Sequence, residues 1–102
     1  MKMPKVKITV IKRTIFPDVI EEYYPSEMVP CEVFYDGQDF IIERDTVAPE
    51  GFCAWAYADI QKYIMLLRHD GKPMLKHENT SIACCTDGFR PVVFKLERIE
   101  ED

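Results

Sequence analysis

The run from Gly51 to His69, Gly-Phe-Cys-Ala-Trp-Ala-Tyr-Ala-Asp-Ile-Gln-Lys-Tyr-Ile-Met-Leu-Leu-Arg-His, is the only long stretch with helical periodicity. Whatever the rest of the chain does, it must pack against this element. Placed at helical steps, Phe52, Ala56, Ile60, Tyr63 and Leu67 share one face, with Cys53 and Ile64 beside them. Trp55, Asp59 and Leu66 form a neighbouring strip, and Ala58, Gln61, Lys62 and Met65 lie opposite. The apolar arc is wider than a surface helix needs, so a second surface is expected to meet part of it. The helix is expected over 52–69. Pro49 and Glu50 suit its entry, and Arg68, His69 and Gly71 suit its exit.

The other segments read as strands and turns. Lys5 to Ile11 alternates, with Val6, Ile8 and Val10 on one side and Lys5, Lys7 and Thr9 on the other, as a half-buried strand does. Pro17 to Tyr24 suits a short helix opened by Pro17 and stopped by Pro25. Cys31–Tyr35 and Gln38–Glu43 flank Asp36-Gly37, which predicts a hairpin with a type I′ turn. Ser81–Cys85 and Val92–Ile99 flank Thr86-Asp-Gly-Phe-Arg-Pro91, which predicts a second hairpin with a longer turn. Together these segments predict one α+β domain over 1–102: an antiparallel sheet of about four or five strands with one main helix packed across it. A chain of 102 residues suits a single modest core.

Charge narrows the partners. The net charge is −5, and between Thr14 and Glu50 ten acids are balanced by Arg44 alone. That distribution argues against nucleic acid, which requires a basic footprint. The lysines near the amino terminus alternate with apolar residues and read as the wet face of a strand. No window is apolar enough for a membrane span, and Met1-Lys-Met-Pro-Lys-Val-Lys7 lacks the apolar run of a signal peptide. A soluble, cytoplasmic protein is expected, in which Cys31, Cys53, Cys84 and Cys85 are thiols, metal ligands or core residues rather than disulfides.

The cysteines are the first candidates for chemistry. No Cys-x-x-Cys pair exists, so neither a zinc ribbon nor a thioredoxin-type site is signalled. A zinc or iron site would draw on Cys31, Cys53, Cys84 and Cys85. Adjacent strand residues point to opposite faces, so at most one of Cys84 and Cys85 reaches a shared ion. Cys53 falls near the start of the helix, where unpaired backbone N–H groups favour a reactive thiol; its structural alternative is a small buried hydrophobe. Asp59, at the edge of the apolar arc, must be hydrogen-bonded or charge-paired, with Arg90 as a suitable partner. Thr86-Asp-Gly-Phe-Arg-Pro91 combines an acid, Asp87, a guanidinium, Arg90, and a nearby thiol. Arg90 is able to hold a carboxylate or phosphate in bidentate fashion or to clamp an acid of the domain itself. No nucleophile elbow, phosphate-binding glycine loop or dinucleotide fingerprint is present.

Gly51-Phe-Cys-Ala-Trp-Ala56 with Asp59-Ile60, and Ala83-Cys-Cys-Thr-Asp-Gly88 with Arg90-Pro91-Val92, resemble segments of a family of small prokaryotic proteins of about this length. Cys31, Gly37-Gln38, Phe40 and Glu97-Arg98 extend the resemblance, which spans 5–99. Members of that family often carry tryptophan where this chain has Tyr57. The resemblance implies a size and a source but no activity. Three functions are therefore carried forward. One is a non-enzymatic, homo-oligomeric binding protein whose strip of Trp55, Met65 and Leu66 supplies an interface. Another is a metal-binding or reactive-thiol protein. The last is a small enzyme with Cys53 as nucleophile and a histidine as base.

Overall fold

A computed structural model describes residues 3–44 and 47–99. The elements run β1 (Lys5–Arg13), α1 (Pro17–Tyr23), β2 (Asp39–Ile42), α2 (Ala54–Arg68), β3 (Thr80–Cys84) and β4 (Val92–Ile99). The four strands make one sheet in the order β2-β1-β4-β3. Every neighbouring pair is antiparallel, and α2 packs across the sheet. The α+β architecture read from the sequence is the one observed.

Alternation places the core. Val6, Ile8 and Val10 of β1 and Val92, Phe94 and Leu96 of β4 are buried beneath α2. The helix answers with Ala56, Tyr57, Ile60, Ile64 and Leu67, and all these residues belong to one buried cluster. Phe34, Phe40, Phe52 and Phe94 close its end near the start of α2, with edge contacts such as Phe40–Phe52 at 4.9 Å and Phe34–Phe94 at 5.3 Å between ring centres. Tyr57 is buried while Tyr63 is only half-buried, so the buried stripe is rotated slightly from the one expected. The helix also begins later, at Ala54, with Cys53 as its N-cap residue.

The first expected hairpin does not form. Residues 31–35 adopt no strand, and β2 pairs instead with β1, Val6 opposite Ile42 and Thr9 opposite Asp39. The Asp36-Gly37 turn is there, with Gly37 at φ 86°, but it serves a different closure. Val10 N donates to Gln38 O at 2.8 Å and Gly37 N to Val10 O at 2.7 Å, while the Asp36 carboxylate accepts from Arg13 N and Nε. The edge of the long strand β1 thus outcompetes residues 31–35, whose buried member, Phe34, is spent on the aromatic cluster. The second hairpin forms as read. Thr80 to Cys84 pairs with Val93 to Glu97, and Pro91 stands just ahead of β4, where its missing N–H costs no ladder bond. Among the described residues, no helix is long and apolar enough to cross a membrane.

Candidate functional site

Three distant segments meet at the start of α2. The loop before β2 brings Cys31 and Phe34. The helix brings Cys53, Trp55, Ala56, Ala58 and Asp59. The β3–β4 connection brings Cys85, Thr86, Asp87, Arg90 and Val92. Together they line a cavity of about 450 Å³, within the range of small-molecule sites. Its wall is largely apolar and sulfur-bearing, and its polar groups are Asp59, Thr86, Asp87 and Arg90.

The β3–β4 connection is held from several sides. The Asp59 carboxylate accepts from Thr86 N at 2.8 Å and from Thr86 Oγ1 at 3.0 Å, which ties the loop to the helix. Asp87 Oδ1 accepts from Phe89 N at 2.9 Å and Arg90 N at 3.1 Å, so this acid stabilises its own turn. Cys85 Sγ accepts from Val92 N at 3.3 Å. On the far side, Phe16 N donates to Phe89 O and Tyr24 packs edge-on against Phe89. Cys31 is positioned from β1, through the donation of Arg13 Nη1 to its carbonyl at 3.1 Å.

Arg90 does not pair with Asp59, the acid expected for it. Thr86 satisfies Asp59, because a carboxylate at that helix position meets the loop backbone directly. Arg90 turns to its own loop: Nη1 donates to Val29 O at 3.0 Å and Nε lies 3.7 Å from Asp87 Oδ2. The buried Nε has no hydrogen-bond acceptor among the described residues. Arg90 thus lines the cavity with one buried donor of its guanidinium unsatisfied. The first turn of α2 is similarly unspent, since Cys53 makes no side-chain cap bond and no acid stands in that turn.

All four cysteines are free. Cys31, Cys53 and Cys85 face the cavity, while Cys84 is exposed and lines a shallow groove with Lys62, Tyr63, Ile82 and Val93. The opposite facing of Cys84 and Cys85 follows strand alternation and takes Cys84 out of the set proposed for a metal. Among the described residues, no group of three or more His, Cys, Asp or Glu side chains could hold a metal ion, so zinc or iron finds no ligand set there. The histidine base expected for Cys53 is also missing from the cavity. His69 caps the other end of α2, about 22 Å along a helix of this length, and His77 lines a separate cleft with Lys72 to Asn79.

Trp55 is 85% exposed at the lip of the cavity. Sequence reading missed Thr86, the partner that fixes Asp59, and Phe34, which floors the cavity. Thr86 carries no signal by residue type. Phe34 lies in a segment whose pattern predicts a strand that does not form. Comparison with protein-family models, with curated proteins and with solved structures gave no match.

Proposed function

We propose that this chain is a non-enzymatic, cytoplasmic binding protein that works as a homo-oligomer. Its ligand is a small apolar molecule carrying a carboxylate, seated in the cavity at the start of α2. The observation that carries this reading is the convergence of residues 31–34, 53–59 and 85–92 on one largely apolar cavity. Its two carboxylates are already engaged, whereas its guanidinium, held by Val29 O and Asp87, keeps an unsatisfied Nε–H, and the neighbouring helix terminus has no side-chain cap. An anionic head is favoured by both the Arg90 charge and the positive end of the helix dipole, and the apolar wall suits a hydrocarbon body. Cys53, Trp55 and Ala56 from one of the segments that carry the family resemblance, and Cys85, Thr86 and Asp87 from another, line this cavity.

Trp55 is the sole tryptophan and reports directly on the cavity. Titration with decanoate is expected to change its fluorescence saturably, with decylamine binding at least tenfold more weakly. Ala58→Phe, which narrows the cavity from an exposed helical position, is expected to abolish the response. An equal response to acid and amine, or a response untouched by Ala58→Phe, contradicts the reading.

A second reading is supported by the three sulfurs that line one cavity: Cys31, Cys53 and Cys85 form a reactive-thiol site. Alkylation kinetics with identification of the labelled residue test it. Labelling of a cavity thiol ahead of the exposed Cys84 supports this alternative; labelling led by Cys84 leaves the carboxylate-binding reading alone.

A further inference from the structure

One stretch of the chain is held to the rest almost entirely by side chains. Its backbone is fixed at Tyr24, whose N–H donates to Ile20 O at 2.9 Å, and at Tyr35, whose N–H donates to Gln38 Oε1 at 3.1 Å. Between these points, among the described residues, 25–34 make no backbone–backbone hydrogen bond. Pro25 and Pro30 have no N–H to give and favour an extended path. Phe34 anchors one end in the aromatic cluster, 5.0 Å from Phe52 and 5.3 Å from Phe94 between ring centres. That leaves 25–33 as a strap, exposed or half-buried along its whole length. Residues 24–28 and α1 line a groove of about 580 Å³, so the first half of the strap is not close-packed against the helix.

Two arginines hold the strap, each through one carbonyl. Arg13 Nη1, at the end of β1, donates to Cys31 O at 3.1 Å, and Arg90 Nη1, in the β3–β4 connection, donates to Val29 O at 3.0 Å. The clamps differ in what else they meet. Arg13 spends its Nε on the Asp36 carboxylate at 3.2 Å and is not part of the cavity lining. Arg90 does line the cavity, and its Nε is buried without an acceptor. Asp87 Oδ2, 3.7 Å from that nitrogen, lies beyond hydrogen-bond reach. One planar guanidinium thus has one nitrogen on the strap and another unsatisfied at the cavity, to which the strap itself contributes Cys31.

We propose that residues 25–33 are a lid on the cavity, hinged at Tyr24 and Phe34 and latched by Arg13 and Arg90. This rests on the carboxylate-binding reading above and adds how the ligand controls its own site. A carboxylate bonded to Arg90 Nε fixes the guanidinium in the position that also meets Val29 O, so an occupied cavity keeps the strap down. In the empty cavity the strap lifts by giving up two side-chain bonds and no backbone ladder, an opening far easier than unfolding the sheet.

Glu27 and Glu32 are exposed on the strap. Cleavage of the folded full chain by a glutamyl endopeptidase, resolved by mass spectrometry, therefore reads its opening, and Trp55 fluorescence reads decanoate binding in the same samples. Cuts after Glu27 and Glu32 are expected at a rate insensitive to urea below the unfolding transition, as local opening requires. Decanoate at about ten times its Kd is expected to slow them about tenfold. Arg13→Gln, which releases Cys31 O from outside the cavity, is expected to speed the cuts about tenfold and to keep the protection by decanoate. Arg90→Gln is expected to speed them similarly and to lose that protection, even at about ten times its own Kd. A purely structural clamp would not separate the two variants in this way. A saturable fluorescence response with cutting unchanged by decanoate overturns the lid and leaves the binding reading standing. No fluorescence response overturns the binding reading and, with it, the ligand's control of the strap. Strap cuts whose rate follows global unfolding in urea overturn the lid whatever the ligand does.

Discussion

The two ends of α2 are finished in opposite ways. At the carboxyl end the loose carbonyls of Met65, Leu66 and Leu67 find donors. Arg98 donates to the carbonyls of Leu67 and Gly71 and to Asn79 Oδ1, and Arg68 donates to Pro4 O. Asp70, at φ 65°, turns the chain, and Gly71 N donates to Leu66 O at 2.7 Å, a Schellman closure. Gly71 is required there by space. A Cβ would lie 2.2 Å from Leu66 Cδ1 and 2.6 Å from its carbonyl oxygen. At the amino end, Cys53 supplies no cap bond and the first turn faces a cavity. Helix ends are either satisfied within the protein or left for something else to satisfy. The contrast separates a structural end from a receptive one.

The comparison can be broken from either side. The largest effect is expected at the structural end. Arg98→Ala removes charge-assisted bonds to two carbonyls and an amide, and should lower unfolding free energy by about 3 kcal/mol in urea titration, with decanoate affinity unchanged in the folded protein. At the receptive end the order reverses. Arg90→Gln should weaken decanoate binding about tenfold, or roughly 1.4 kcal/mol, with a smaller loss of stability. Cys53→Ser is the sharper probe, because serine caps an N-terminus through its hydroxyl. It should raise the melting temperature, by about 1 kcal/mol in stability, while weakening the anion by competing for the same N–H groups. A destabilising Cys53→Ser would show that the sulfur is needed for packing. The smallest effect is expected at Cys84. Cys84→Ala should change stability by less than about 0.5 kcal/mol yet remove the fastest phase of thiol labelling, leaving the slower Cys31, Cys53 and Cys85.

Much of this was legible from periodicity. Val6, Ile8 and Val10, then Val92, Phe94 and Leu96, declared their inward faces by alternation, and Ala56, Ile60 and Leu67 declared theirs at helical spacing. The candidate site was legible by residue type: Cys31, Cys53, Trp55, Asp59, Cys85, Asp87 and Arg90 were singled out from the sequence, and the structure gathers them round one cavity. The pairing of the second hairpin was legible and that of the first was not. Residues 31–35 and β1 compete for the same strand, and the winner depends on contacts of the whole fold, so local pattern favoured the wrong neighbour. The same holds for Asp59, whose need for a partner was plain while the choice of Thr86 over Arg90 depended on where the loop crosses the helix. Cys84 and Cys85 show the limit of residue type most directly, since one step along the chain separates an exposed thiol from a cavity thiol.

Carboxylate binding at the amino end of α2 and the β3–β4 connection is tested most directly by backbone amide NMR of uniformly labelled protein during titration with decanoate. Saturable shifts are expected at Cys31, Cys53 to Asp59 and Cys85 to Val92, with the carboxyl end of α2 and Arg98 undisturbed. Shifts centred on Asp70 to Asn79, or none at any residue, would contradict it.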